Sequence, residues 1–489
     1  MKTPLPAHKL SQVVTVFFLS VTIATLIGCN SDKVSDTPKP VDDTPIIEGP
    51  PPNIVVITLD TLRPDYLEMH GFERNTAPFL AKLAEDSVVF DNAYSTSSWT
   101  APATASLFTS QYPTQHGLHI GFFYQYNLQR GMIEEKLKNA SADHDHTEET
   151  APLPDGTKPI HFQQLSLDAT TLPEIMQSVG YTTYGISANP NIDTKLHFDQ
   201  GFDLFNFKNN VTAEGFHSFL TQNKTRIQES GPYFLYLQMM DVHQPYHKRA
   251  PYFKEGGDGD DKFREAYLSE ISYMDSYLEK LYNEFEWGSN TILVFVSDHG
   301  EEFWDHGGTN HGPTLYGELN HALTMFHAPD SGFSPRRVSE NVSLIDILPT
   351  MIELVGGGDT NQNMQGESLV PLLKKDARRT DLESTLSDRV IFAHRVRDLY
   401  PQVTELWAAI HQDRKLIVDT KDGQPNELFD LNTDRPEKYD LSNSEPETYQ
   451  RLFEELENFR SQTRVEASIG MEALDSELED TLDALGYLD

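Results

Sequence analysis

The sequence predicts an α/β fold: a large, mostly parallel sheet with helices on both faces, followed by a small antiparallel-sheet domain carrying a packed helix. Three observations support this. Apolar, β-rich runs without Gly or Pro occur at Asn53–Leu59 (NIVVITL), Tyr233–Met240 (YFLYLQMM) and Thr291–Val296 (TILVFV), as strands buried on both sides require. They alternate with helical patterns at Ala77–Asp86, Leu172–Gly180 and Phe263–Phe285, and strands separated by helices run parallel. Beyond Leu373 the texture changes to short alternating runs within Val390–Val418, then a helical stretch over Glu445–Thr463, which fits a separate small sheet.

Residues 1–28 read as a leader, with Lys2 and Lys9 ahead of an apolar run from Val13 to Ile27; this is too short for a stable membrane span. The run closes on Leu26-Ile27-Gly28-Cys29, which resembles the lipobox of bacterial lipoproteins, and Cys29 is the only cysteine. The resemblance implies lipidation of Cys29 and a cell-envelope address, anchored in the outer membrane of a Gram-negative bacterium. Residues 29–52, rich in Pro and Asp, read as a tether, residues 53–380 as the catalytic domain and 381–489 as the C-terminal subdomain and tail. A single cysteine excludes internal disulfides. The formal net charge of -37 disfavours nucleic acid as a partner. Residues 121–164 interrupt the pattern with a polar stretch (SADHDHTEET) that reads as an insertion or surface loop.

Each of the three buried runs ends in ligand-type residues: Asp60, then Asp241 and His243, then Asp298 and His299. Open α/β sheets place their binding crevice at that edge, so three distant segments converge there. In Ser98–Pro113 (SWTAPATASLFTSQYP), Thr100 stands at a helix start with Pro102 in the first turn. A hydroxyl there faces free N–H groups and the positive end of a helix dipole, a setting that stabilises an oxyanion. Taken alone, a Thr before a helical Pro is more often a cap than a nucleophile.

The chain resembles the sulfatases of the alkaline-phosphatase superfamily, whose motif is C/S-x-P-S-R-x-x-x-L-x-T-G. Thr100 lies at the Cys/Ser position, Pro102 at the Pro, Thr104 at the Arg, Leu107 and Thr109 at their counterparts and Ser110 at the Gly. NIVVITLDTLRPDY, MDVHQPY, SDHGEEFWDHGGTNHG, VSLIDILPT, QGESLVPLL, ELFDLNTDRPEKYDL and LDALGYL continue the likeness. The resemblance implies one divalent cation held by Asp60, Asp298, His299 and Thr100, calcium being the family's usual ion and manganese, zinc or magnesium the alternatives. It implies that His243 and His311 grip the anionic group and protonate the leaving oxygen, with Asp241, His306 and Asn189 as secondary substrate-binding candidates.

Four positions depart from the family. Thr100 and Thr104 replace the Cys or Ser and the Arg that support formylglycine, so that group is not expected; Thr61 stands where many relatives carry a second Asp, and Asn189 where they carry a K-x-H element. The expected activity is therefore metal-dependent hydrolysis of sulfate or phosphate esters through a threonine nucleophile. A phosphodiesterase, a phosphoethanolamine-type transferase and a non-catalytic binding lipoprotein are the alternatives.

Overall fold

The computed structural model describes residues 47, 49–122, 125, 159–208, 211–255, 260–357, 363–374, 386–398, 404–421, 423–462 and 468–473. These belong to a compact unit spanning Asp43–Asp489. The leader, Cys29, most of the tether and the SADHDHTEET stretch lie outside the described residues.

The strands are β1 (Asn53–Leu59), β2 (Ser87–Tyr94), β3 (Pro159–Gln164), β4 (Thr182–Ser187), β5 (Leu204–Phe207), β6 (Tyr233–Met239), β7 (Thr291–Val296), β8 (Glu302–Phe303), β9 (Thr309–Asn310), β10 (His321–Ala322), β11 (Thr324–His327), β12 (Arg336–Ser343), β13 (Ile391–Asp398), β14 (Thr404–His411), β15 (Arg414–Asp419), β16 (Glu427–Asp430) and β17 (Ser468–Ala473). The nine-stranded main sheet has the order β10-β2-β11-β7-β1-β6-β4-β5, with β12 beside β2. Its centre, β7-β1-β6-β4-β5, is parallel throughout. On the far side of β7 the sheet turns mixed, because β11 runs antiparallel to both β7 and β2.

Alternation along β1 explains why the sheet is covered twice. Ile54 and Val56 join one apolar cluster with Phe234, Tyr236, Ile292 and Val294. Val55, Ile57 and Leu59 join another with Leu235, Leu237, Leu293 and Phe295. Successive side chains point to opposite faces, and each buried aliphatic or aromatic group contributes roughly 1.5–3 kcal/mol.

The main helices are α1 (Pro78–Glu85), α2 (Thr100–Thr109), α3 (Leu172–Ser178), α4 (Ala213–Gln228), α5 (Asp260–Phe285), α6 (Ile347–Val355) and α7 (Pro446–Arg460). Residues of α2, α3 and α6 fill the first cluster, and those of α1, α4 and α5 fill the second. Helix α3 begins on a capping box in which Thr171 and Glu174 satisfy each other's backbone N–H, a reciprocal bond that fixes a helix start. Among the described residues no helix is long and apolar enough to cross a membrane.

The small sheet follows the antiparallel order β13-β14-β15-β16. Leu452, Leu456 and Phe459 of α7 pack on Trp407, Leu416 and Leu428, and Tyr112 and Ile345 join them from the main-sheet side. The end of the 121–164 stretch is not a loop: Pro159–Gln164 pairs antiparallel with Ser468–Ala473. Neither segment has a marked apolar period, since this ribbon is defined by a partner remote in sequence.

Candidate active site

Strands β7, β1 and β6 are adjacent and parallel, with Thr58 opposite Val296 and Leu59 opposite Met239. Their C-terminal ends therefore bring Asp60, Asp298 and Asp241 to one edge. The Asp60 N–H donates to Met239 O at 2.9 Å. Strand β4, next in order, delivers Asn189 just past Ser187, which pairs with Gln238.

Asp60, Asp298 and His299 each offer a ligand atom within 4.8 Å of one another, and all three are buried. His299 Nε2 lies 3.9 Å from Asp60 Oδ1 and 3.8 Å from Asp298 Oδ2. These are not ion pairs. The His299 Nδ1 meets Gly300 O at 2.9 Å; a carbonyl can only accept, so Nδ1 carries the proton and Nε2 presents a lone pair. Burial, reinforced by His311, pushes His299 down to about 4, which keeps it neutral. Lone pairs from three side chains thus face one another, and Asp60 Oδ1 has no hydrogen-bond partner. Converging donors of this kind are the chemistry of a cation site.

The outer oxygens are held in place. Asn189 Nδ2 donates to Asp60 Oδ2 at 2.5 Å, and Gln238 Nε2 bridges Asp60 Oδ2 at 3.0 Å and Asp298 Oδ2 at 3.3 Å. The Tyr236 hydroxyl fixes Gln238 by donating to its Oε1 at 2.5 Å. Asp298 Oδ1 accepts from the backbone N–H of Thr61 at 3.2 Å and of His299 at 2.9 Å. Thr61 therefore contributes its amide rather than a carboxylate, from a left-handed backbone with φ 57°. Burial, then repulsion from Asp298, raises Asp60, and burial raises Asp298 to about 6.

Thr100 is the first residue of α2, whose N-cap is Trp99; its hydroxyl is thus not spent on capping. Thr100 Oγ1 lies 3.1 Å from His299 Nε2 and accepts from Asn189 Nδ2 at 3.4 Å. Asn189 thus ties the Thr100 hydroxyl to the Asp60 carboxylate.

Two imidazoles flank this group. The His243 and His311 ring centroids are 4.9 Å apart, and His311 is 4.7 Å from His299. His243 Nδ1 meets Gln244 O at 2.6 Å, and its Nε2 is buried without a partner. His311 Nδ1 meets Glu301 Oε1 at 3.1 Å. Burial and His243 push His311 down to about 3, while burial raises Glu301 to about 7.

Asp241 and His306 lie outside this cluster of contacts. Asp241 Oδ1 accepts from the Ala213 N–H at 2.8 Å, closing the start of α4, although burial raises its carboxyl to about 6. Both His306 nitrogens are engaged, with Glu318 Oε1 at 2.6 Å and Glu437 O at 2.9 Å. Sequence reasoning missed Gln238, Glu301 and Trp99. The one available signal was Gln238 itself, a polar residue inside the buried run YFLYLQMM.

The Sulfatase family model matches residues 52–357. The chain is similar to human N-acetylgalactosamine-6-sulfatase, 23% identical over 399 residues covering 71% of this chain and 68% of that one. It is also similar to the multifunctional alkaline phosphatase superfamily protein PehA of Trinickia caryophylli, 23% identical over 431 residues and covering 70% and 81%. Among solved structures, the phosphonate monoester hydrolase of Agrobacterium radiobacter superposes with TM-score 0.62 at 17% identity, over 84% of this chain and 96% of that one. BT4656 in complex with its substrate D-glucosamine-2-N,6-O-disulfate gives TM-score 0.62 at 15% identity, over 84% and 98%.

Proposed function

Because this chain belongs to the sulfatase family, we propose that it is a metal-dependent hydrolase of sulfate or phosphate esters that uses Thr100 as its nucleophile. The observation that carries the proposal is Thr100 Oγ1 at 3.1 Å from His299 Nε2, inside the group that offers three converging ligand atoms.

Asp60 Oδ1, Asp298 Oδ2, His299 Nε2 and Thr100 Oγ1 would hold the cation. A divalent ion there supplies positive charge that lowers the pKa of the threonine hydroxyl and offsets charge on the ester oxygens. Calcium takes six to eight oxygen ligands, whereas this set has an imidazole nitrogen and few oxygens. Manganese or zinc fits it better.

Thr100 Oγ, its proton released to solvent, attacks the sulfur or phosphorus, and the bond from that atom to the leaving oxygen breaks. His243, whose Nε2 has no partner, gives the leaving oxygen its proton, with the His311 ring beside it at 4.9 Å gripping the anionic group. Thr100 stands at the first position of α2, where the positive end of the helix dipole favours the developing charge. Water then attacks the threonyl ester and releases Thr100. No elimination route of the formylglycine kind is open to a threonyl ester, so clearance requires hydrolysis. This favours the phosphate side.

The test is a turnover screen of an aryl sulfate, a phosphate monoester and a phosphodiester with calcium, manganese and zinc. Metal-dependent turnover of at least one substrate, abolished in Thr100→Ala, is the expected result. Equal turnover in that variant would overturn the proposal.

We propose further that residues 53–380 act as the catalytic domain and that residues 29–52 tether it to a lipid on Cys29 at the cell envelope. Support comes from the lipobox-like run ending at Cys29; radiolabelled palmitate incorporation that survives Cys29→Ala would refute the anchor.

A further inference from the structure

The β8–β9 hairpin is paired through Glu302 with Asn310 and Phe303 with Thr309 only, and a two-stranded ribbon that short does not hold itself. Yet it ends on the candidate active site: Glu301 precedes β8, His311 follows β9, and the two side chains meet at 3.1 Å. Whatever fixes the turn of this hairpin therefore bears on where His311 sits.

Within the catalytic body, Arg63 grips Asp305 at 2.7 Å, and Glu302 Oε1 accepts from the N–H groups of His306 and Gly308 at 2.9 and 2.7 Å. His306 reaches further. Its Nδ1 lies 2.6 Å from Glu318 Oε1, and its Nε2 lies 2.9 Å from Glu437 O, in the segment that follows β16. A carbonyl and a carboxylate oxygen only accept, so both nitrogens carry protons and the ring is an imidazolium. The Tyr316 ring stacks on it, with centroids 3.7 Å apart and planes 10° from parallel, a face that favours a cation. Tyr316 is fixed in turn by its hydroxyl, which donates to Glu427 Oε2 on β16 at 2.6 Å.

The far end of this contact is built with equal care. Glu437 adopts a left-handed backbone with φ 54°, uncommon for a residue other than glycine, and Lys415 of β15 holds its carboxylate at 3.0 Å with both side chains buried. Burial works against a charge on His306, but the bonds to Glu318 and Glu437 outweigh it and raise the group above its ordinary value of 6.5. Among the other charged groups near the ring, Lys415 neutralises Glu437, Arg63 neutralises Asp305, Glu302 faces hairpin amides, and Lys438 opposes the charge.

We infer that His306 is a positively charged clasp: held between Glu318 and the Glu437 carbonyl, it fastens the hairpin that ends on His311 to the small-sheet side of the molecule, and it lets go when the imidazole loses a proton to solvent. Loss from Nδ1 sets a lone pair against the Glu318 carboxylate, and loss from Nε2 sets one against the Glu437 carbonyl. Either way one end opens. Because the fold holds this proton more tightly than the unfolded chain does, the clasp is fully engaged below about 6.5 and is lost as pH rises through the higher folded value. His306 is thus a positioning residue for the threonine centre.

Hydrogen exchange of the full chain, followed by mass spectrometry, reads the clasp without using turnover. After correction for the intrinsic pH dependence of exchange, residues 302–310 should lose at least about fivefold protection between about pH 6 and 9, with a midpoint above the ordinary histidine value. Glu318→Gln keeps an accepting oxygen but removes the charge, and should move that midpoint down by at least about one pH unit; His306→Gln should abolish the pH dependence. Continued protection of Thr291–Val296 in β7 shows that the sheet is folded, and if His306→Gln does not fold, the wild-type and Glu318→Gln profiles decide alone. A flat wild-type profile, or an unmoved midpoint in Glu318→Gln, overturns the clasp. The consequence for His311 rests on the hydrolase reading and is measured separately. At about pH 6, kcat/KM of His306→Gln for the best ester should lie at least about tenfold below wild type with metal affinity unchanged, and a loss of less than about twofold overturns the positioning role. Absence of turnover in the wild type sinks the hydrolase reading and leaves the exchange result standing.

Discussion

Replacing Thr100 separates chemistry from assembly. The residue is buried at the start of α2 and contributes one hydroxyl and one methyl group. Thr100→Ser keeps Oγ and deletes a methyl, which costs about 1 kcal/mol of stability by transfer of one buried carbon. Thr100→Ala also removes the contacts with His299 at 3.1 Å and Asn189 at 3.4 Å, each worth about 1 kcal/mol at most. Neither change removes Asp60, Asp298 or His299, so metal binding should weaken but survive in both variants. The reaction is affected far more. Without the attacking oxygen, kcat/KM should fall by at least about 10⁴-fold, or roughly 5 kcal/mol of barrier at 1.36 kcal/mol per decade. Thr100→Ser should stay within about tenfold of wild type. The assay is steady-state turnover of the best ester at saturating manganese, alongside metal titration by calorimetry. Retention of more than about 1% of wild-type kcat/KM in Thr100→Ala, with the metal bound, would refute the nucleophile assignment.

Chelation should lower the melting temperature as well as activity, because a ligand at 100 times its Kd adds about 2.7 kcal/mol; restoration by calcium but not by manganese or zinc would count against the donor-set argument. Asp275 accepts from the N–H groups of Phe79 and Leu80 at the start of α1, both at 2.9 Å, yet burial raises its carboxyl to about 7. The fold therefore binds this proton more tightly than the unfolded chain. Its contribution to stability is full below about 4 and is lost as pH rises through about 7; in urea denaturation, wild type should lose more stability than Asp275→Asn between pH 5 and 8, and parallel profiles would refute this. Arg389 and Asp346 form a buried ion pair with side-chain exposures of 13% and 0%, so Arg389→Ala should destabilise the protein by about 3–5 kcal/mol. Arg74→Ala, at a pair exposed 35% and 20%, should cost about 1 kcal/mol or less, and equal denaturation midpoints for the two variants would contradict the contrast.

The parts legible in the sequence are those encoded by local period and by position along an element. NIVVITLD announces a strand buried on both faces and ending on a carboxylate, and β1 with Asp60 has that form. TAPATASLFT announces a helix start, and Thr100 is its first residue. Features set by remote partners were not legible. Gln238 reads as a flaw in an apolar run until β6 lies beside β1 and its amide spans two carboxylates. His306 looks like a substrate-binding residue in a His- and Gly-rich segment, yet both its nitrogens are claimed by groups from elsewhere in the chain. The antiparallel flank beyond β7 was hidden because β10 and β11 are two and four residues long, too short to display a period.

The ribbon between β3 and β17 ties residues 159–164 to residues 468–473. During folding, Asp60, Thr100, His299 and His311 can come together before that ribbon closes, since all four precede β17 in the chain. Its last stitch waits for almost the whole polypeptide. Until then β3 presents an open edge to proteases and to other unfolded chains, so truncation a few residues past α7 would yield a protein whose catalytic residues are all present but which is short-lived.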